Sequence, residues 1–311
     1  MTALLKGDAR TLEYTVQEET QGRKVIDVMA RVLGFSSRMI RRCKQEQLVR
    51  LNGVPVSVNA TVLAGDVIGI VLEQEANIFN PEPIAVFVIY EDDDILVVNK
   101  PAGLVVHPTK GHPAGTLGNA LAWYSLKREE DYKIRFVNRL DRDTTGLVIV
   151  AKNGYAQQVI SDRMQAGAVE KLYVALVHGV PELPEGTVDA PIERLQPEDI
   201  QRQVHEDGKP CVTHYRLLAA YPEAALLELN LETGRTHQIR VHLQHIGHPL
   251  FGDPLYGGHG ADGIGRQALH AWQLRFETPR NGPVLLRAPL PEDMRACLAG
   301  RGVTLLPEEL R

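Results

Sequence analysis

The stretch Asn138-Arg-Leu-Asp-Arg-Asp-Thr-Thr-Gly-Leu-Val-Ile-Val-Ala-Lys152 constrains this chain more than any other. Its second half, Leu147 to Ala151, is a short, β-branched, wholly apolar run bounded by Gly146, the signature of a buried strand. Its first half sets Arg139, Asp141, Arg142 and Asp143 at the end of that strand, beside apolar packing. Charges next to a core are costly unless paired, so the fold must supply partners and function must supply a reason. Asp141 is the candidate. A carboxylate flanked by Arg139 and Arg142 stays ionised, and the hydroxyls of Thr144 and Thr145 are placed to orient it. An ionised, oriented carboxylate at a strand end suits a nucleophile or a base.

The remaining bounds are ordinary. A chain of 311 residues has room for two domains, or for one large domain with an appendage, and 44% hydrophobic with 23% charged residues fits a soluble globular protein. No apolar run reaches the roughly 18 residues of a membrane span, and the N-terminus lacks the basic and apolar regions of a secretory signal. Cys43, Cys211 and Cys297 lie far apart without zinc or redox spacing, as expected of reduced thiols in a cytoplasmic protein. A net charge of −5 excludes a uniformly basic nucleic-acid coat but leaves room for a local basic patch.

Such a patch lies near the N-terminus. Val25, Val28, Met29, Val32 and Leu33 repeat at helical spacing, predicting a helix over 23–33 that Gly34 ends. Ser36 or Ser37 caps a second helix, from Arg38 to about Glu46, that faces the core through Met39, Ile40 and Cys43. Its other faces carry Arg38, Arg41, Arg42 and Lys44. Leu48 to Val58 reads as a hairpin turning at Asn52-Gly53, with a further strand over 67–72. Two short helices, the second basic, followed by a small β unit, resemble the S-four-type RNA-binding domain. The plainer alternative is a solvated helix face, although four cations within seven positions exceed what solubility needs. The organisation expected is an RNA-binding domain over 1–75, a linker over 76–83 and a catalytic domain over 84–311.

In that last part, strands are predicted at 87–90, 95–99, 104–106, 147–151, 169–178, 212–220, 224–231, 268–276 and 284–288. Helices are predicted at 117–126, 154–164 and 236–246, and 181–211 reads as surface excursions. Strands come in hairpins rather than alternating with helices, so the fold class is α+β with a mixed, mainly antiparallel sheet. Arg235 sits before the third of these helices, on the unfavourable side of its dipole, and Gly234 lets the backbone turn so that Arg235 reaches a carboxylate across the fold. From these residues alone, a structural or surface role for Arg235 is equally admissible, and Tyr173, beside Lys171 on one strand face, is a core or rim tyrosine. His242, His245 and His248 have no supporting carboxylate and read as surface or RNA-facing side chains rather than a metal site.

A resemblance sharpens this. Asn138 to Leu147 is similar to the motif H-R-L-D-x-x-T-S-G-L of the RNA pseudouridine synthases of the RluA/RluD type. Lys171-Leu-Tyr173 resembles that family's K-x-Y element, Gly234 to Leu243 its third motif, Gly252 to Gly257 its following loop, and Val98 to Pro108 its opening hairpin. Asn138 and Thr145 depart from the family's His and Ser, and both keep hydrogen-bonding ability. The resemblance implies that Asp141 is the catalytic aspartate, acting at the sugar of a target uridine while the N-glycosidic bond breaks. The uracil then turns and is rejoined through carbon. It implies that Arg235 pairs with Asp141, that Tyr173 lies against the uracil and helps remove the proton, and that Arg139 and Lys171 bind the substrate. It also implies an RNA partner, ribosomal RNA first and transfer RNA second, with no cofactor, no metal, no membrane and a monomeric chain. Flipping the base from its stack costs a few kcal/mol, which stacking and charge contacts offset.

Three other classes fit parts of the sequence. Asp141-Arg-Asp143-Thr-Thr145 matches the D-x-D-x-T of haloacid-dehalogenase-like phosphatases, but polar residues interrupt the strand that should lead into it. Asp141 and Asp143 suit the carboxylate pair of a retaining glycosidase, yet with arginines beside them no proton donor is evident. A non-catalytic ribosome-assembly factor is the third.

Overall fold

The computed structural model describes residues 5–6, 10–72, 75–109, 111–194, 196, 199–257 and 263–301; Glu73, Gly258 and both chain ends of the expected domains lie outside them. The N-terminal part is an antiparallel sheet of β1 (Leu5–Lys6), β2 (Thr11–Thr15), β3 (Val49–Leu51), β4 (Val54–Pro55) and β5 (Val67–Val71), ordered β1-β2-β5-β3-β4. Helices α1 (Val25–Arg31) and α2 (Ser37–Gln45) belong with it, and Val25, Val28, Met29, Ile40 and Cys43 share its core with Leu12, Tyr14, Ile68 and Ile70. The Ser36 hydroxyl accepts the N–H of Met39 and fixes the start of α2. Asn52 and Gly53 both take positive φ, 52° and 82°, the pair of left-handed residues a tight hairpin needs.

The larger part is built on a ten-stranded sheet. In chain order come β6 (Val88–Glu91), β7 (Ile95–Lys100), α3 (Leu117–Lys127), β8 (Arg135–Phe136), β9 (Thr145–Ala151), α4 (Gly154–Gln165) and β10 (Glu170–His178). There follow β11 (Glu185–Asp189), β12 (Ile192–Glu193), β13 (Gln203–Val204), β14 (Val212–Tyr221), β15 (Ala224–Leu231), α5 (Gln238–His245), β16 (Leu269–Thr278), β17 (Gly282–Arg287) and α6 (Glu292–Ala299). The sheet runs β11-β14-β15-β10-β16-β9-β7-β6, with β17 on β16 and β8 on β9. Its pairings are antiparallel except β9 with β16, so it is mixed and mainly antiparallel, as expected.

β9 lies in the middle of this sheet, and all seven of its residues are buried. Leu147, Ile149 and Ala151 face a core shared with Ala156 and Ile160 of α4, while Val148 and Val150 face the opposite core, with Leu117 and Leu121 of α3. Covering on both faces explains why the strand reads as an unbroken apolar run rather than an alternating one. Gly146 is inside the strand, not its boundary. Its φ is +116°, and a Cβ there would overlap the carbonyl oxygen of Ala271 on the parallel neighbour β16.

The two parts are packed together. Tyr155, in the first turn of α4, enters the N-terminal core, stacks on Phe35 at 4.8 Å and donates its hydroxyl to the Leu33 carbonyl. Residues 76–83 carry no helix or strand, but they are docked: the Phe79 ring covers Gly118 and meets Phe136 at 6.2 Å, and Asn119 donates to the Asn80 carbonyl.

Several sequence expectations need correction. Residues 104–106 form only an isolated bridge, Val105 with Thr116, and the Leu104 carbonyl is taken by the Lys100 ammonium rather than by a strand neighbour. The segment 181–211 is not merely surface excursion: β11 forms the sheet's edge, and β12 pairs with β13. α6 was not anticipated at all. Among the described residues, no helix is long and apolar enough to cross a membrane.

Candidate active site

A cleft of about 1000 Å³ opens where β9, β10 and the approach to α5 converge. Asp141, Tyr173, Lys171, Arg139, Arg235, His237 and Arg240 all line it. The loop before β9 that carries Asp141 is pinned along its length. The Asn138 side chain accepts the Ile149 N–H at 2.7 Å and donates to the Leu147 carbonyl at 3.2 Å, so its amide continues the ladder as a backbone unit would. Leu140 is buried in the core. Arg266 donates to the Asp143 carbonyl at 3.1 Å, and Gln267 to the Thr144 hydroxyl at 3.2 Å.

The strongest pin is Lys100, at the end of β7. It is fully buried, and its ammonium donates to the carbonyls of Pro101, Leu104 and Arg142 at 2.8, 2.9 and 2.8 Å. Burial pulls its pKa down to about 7, while the charges of Asp143 and Asp141 oppose that pull. Three carbonyls for three N–H donors make the charged form the one this pocket is built to hold.

Asp141, its side chain 28% exposed, projects from this fixed loop into the cleft. Its ionic partner is Arg240, at 3.4 Å, and not Arg235. Helix α5 begins at Gln238, two residues later than the periodicity suggests, because Gln238 caps it from within by accepting the Arg235 N–H and the Thr233 hydroxyl. Arg235 is thereby left exposed on the cleft wall, beside Cys211. Arg240, inside the helix, is buried and forked onto Asp253 with two hydrogen bonds of 2.7 Å, its guanidinium resting 4.9 Å from the centre of the Tyr256 ring.

The other expected residues fall as follows. Arg139 is exposed and donates to the Thr236 hydroxyl at 2.9 Å. Tyr173 is buried in the cleft floor; burial, and then the charge of Asp141, raise its pKa, so the phenol stays protonated. Lys171 is half-buried on the same strand, and burial lowers its pKa. Neither threonine orients Asp141: Thr144 serves Gln267, and the Thr145 hydroxyl is 2.8 Å from Nδ1 of the buried His270. Arg142 pairs with Asp143 at 2.9 Å rather than with Asp141. His242 is not a surface residue. It is fully buried, with its ring nitrogens on Thr213 and the Ala190 carbonyl. On α2, Arg38, Arg41 and Lys44 are exposed, whereas Arg42 is engaged by Glu46 and Glu75 at 3.3 Å each.

A family model described as RNA pseudouridylate synthase matches residues 94–245. Over 300 residues the chain is 40% identical to the ribosomal large subunit pseudouridine synthase D of Nitrosomonas europaea, covering 93% of this chain and 87% of that protein. The chain belongs to the RluD-type RNA pseudouridine synthases. The like-named protein of Escherichia coli O6:H1 is also 40% identical, over 91% of this chain and 92% of its own. Human RNA pseudouridylate synthase domain containing 1 superposes with a TM-score of 0.57 at 27% identity, over 73% of this chain and 100% of that one.

This pseudouridine synthase is therefore an isomerase acting on RNA, and the phosphatase and glycosidase readings of Asp141 and Asp143 fall. Sequence reasoning missed Lys100, Arg240, Asp253, His237 and Tyr256. A signal for Arg240 did exist. An arginine between Ile239 and Val241, in a helix followed by Asp253 in a Gly-Asp-Pro turn, is a buried pair waiting for its fold. The loop that covers it comes later in the chain.

Proposed function

We propose that this synthase converts uridines of large-subunit ribosomal RNA to pseudouridine, with Asp141 as the nucleophile. The carboxylate adds to the ribose C1′ as the N1–C1′ bond breaks, and the uracil leaves with the electron pair. The uracil turns, its C5 bonds to C1′ and displaces Asp141, the C5 proton is lost, and N1 gains one. Atoms and electrons balance within the one nucleotide. Tyr173 packs against the uracil. Because its phenol is neutral, it relays the proton rather than acting as a phenolate: the phenol oxygen accepts from C5 as its own proton passes to solvent, which returns one to N1. Arg139 and Lys171 hold the extruded nucleotide, and Arg240 takes the place at Asp141 that the family resemblance implies for Arg235.

The observation that supports this most is the Asp141 carboxylate itself, carried by a pinned loop into the cleft that Arg240 and Tyr173 also line. Ribosomal RNA is favoured over transfer RNA by the names of the relatives. The N-terminal residues act as an S-four-like RNA-binding domain through Arg38, Arg41 and Lys44, with Arg42 tying α2 to Glu75. The single chain carries the whole cleft, consistent with a monomer, and its three cysteines are buried free thiols, consistent with the cytoplasm.

The test uses large-subunit ribosomal RNA tritiated at uridine C5, since bond formation at C5 releases that label. Asp141→Asn is expected to release none while binding the RNA as the wild type does. Turnover in this variant would overturn the mechanism, and label released only from transfer RNA would overturn the target.

A further inference from the structure

Arg240 is a divided partner. Two of its nitrogens belong to Asp253 at 2.7 Å, and only the third reaches Asp141, at 3.4 Å. A carboxylate held by one long contact is poorly aimed for attack on a carbon, where small misplacements are expensive. A second group faces it from the same wall. Nε2 of His237 stands 3.9 Å from the same Asp141 oxygen, and His237 lines the cleft.

The tautomer of this histidine follows from its neighbours. The Tyr256 hydroxyl oxygen accepts the Arg202 N–H at 2.8 Å, and its proton is free to go to His237 Nδ1 at 2.9 Å. Nδ1 is then the acceptor of the neutral ring, and Nε2 carries the hydrogen toward Asp141. The groups around the ring are Asp141, Arg240, Arg202, Asp253 and Tyr256, and burial, ahead of any of these charges, keeps it below the usual histidine range and so neutral.

The backbone gives independent support. His237 is left-handed, at φ 59° and ψ 16°, in the position just before α5. Such a conformation is uncommon outside glycine, although histidine is among the residues that adopt it more readily, and it is held by its surroundings. Here Gln238 imposes it, by holding the Arg235 N–H and Thr233 on one side and the Val212 carbonyl and Thr213 on the other. The bend is what brings the ring round to Asp141 instead of along the helix.

We infer that His237 is a positioning residue for the reaction: its Nε2–H, fixed by Tyr256, steadies the Asp141 carboxylate alongside Arg240. The role presupposes Asp141 as the reacting carboxylate, so Asp141→Asn is measured in parallel on the same tritiated ribosomal RNA. His237→Asn tolerates the left-handed backbone but withdraws the donor, whereas His237→Gln puts an amide N–H near the place of Nε2. The expected result is a kcat lowered about 100-fold in His237→Asn, with KM for the RNA little changed and a large part of the rate restored in His237→Gln. Tyr256→Phe, which removes the hydroxyl that sets the tautomer, lowers kcat in the same direction and serves if the His237 variants unfold early. Wild-type kcat in His237→Asn, a loss confined to KM, or a glutamine no better than asparagine would overturn the role of His237. If the His237 variants did unfold early, an unchanged kcat in Tyr256→Phe would do the same. Activity in Asp141→Asn would instead overturn the assignment of Asp141.

Discussion

Arg240 and Asp253 form a buried, bidentate pair, with two hydrogen bonds of 2.7 Å joining α5 to the loop after it. The pair orients the guanidinium, so the nitrogen facing Asp141 is set by a residue that never enters the cleft. Removing one member of a buried pair strands the other charge, which costs about 3–5 kcal/mol. Asp253→Ala is expected to lower the unfolding free energy by that amount in denaturant melts and to depress kcat further than the loss of folded protein explains. An unaffected melt would show that water replaces the carboxylate at no cost.

His270 makes acid a specific stress. Burial, only partly opposed by its hydrogen bonds, lowers its pKa to about 4 from the ordinary 6.5 of histidine. The folded state therefore favours the neutral ring. That stability is complete above the unfolded pKa and is lost as pH falls from 6.5 toward 4, on the order of 3 kcal/mol in total. In His270→Gln the loss over this window should shrink, as unfolding free energies at pH 7 and pH 4.5 will reveal.

Tyr155 is the side chain of the larger part that enters the N-terminal core. Tyr155→Ala should cost about 3–5 kcal/mol, as for other large aromatic truncations, and leave residues 75–87 open to limited proteolysis. The RNA KM should rise more than kcat falls, because Asp141 and Arg240 are untouched even though Ile78, Phe79 and Asn80 line the cleft. Cleavage no faster than in the wild type would mean that the remaining contacts suffice.

The exposed cations of α2 give a salt signature. Neutralising Arg38, Arg41 and Lys44 together should flatten the dependence of log affinity on log salt by about 2 to 3 units, at 0.7–0.9 per phosphate contact. Neutralising Arg42, already engaged by Glu46 and Glu75, should flatten it less. Equal effects would erase the distinction.

Gly146→Ala tests the strand contact. It places a methyl group against the Ala271 carbonyl at a φ that disfavours side chains, and a loss of at least about 3 kcal/mol is expected in denaturant melts.

Local order was legible in the sequence, and long-range pairing was not. The buried strand over 147–151, the cap at Ser36 or Ser37 and the turn at Asn52-Gly53 each rest on residues that are neighbours in the chain. Asp141 was legible as well, because its charge sits against an apolar run. Its surroundings were not, since Lys100 lies 41 residues before it and Arg240 is 99 after it. The pairing of Arg235 with Asp141 rests on the family resemblance, whereas the residue that orients Arg240 toward Asp141, Asp253, is visible only once the loop folds over α5.

The pins on the Asp141 loop have a consequence for biosynthesis. Lys100 is made before the loop, but Arg266, Gln267 and the parallel neighbour β16 follow it by more than a hundred residues. A chain still emerging from its ribosome, extended only to α5, has the aspartate but not the frame around it. Competence therefore arrives late, only once β16 has been made, and a chain that stops short of it retains α2 without a working centre.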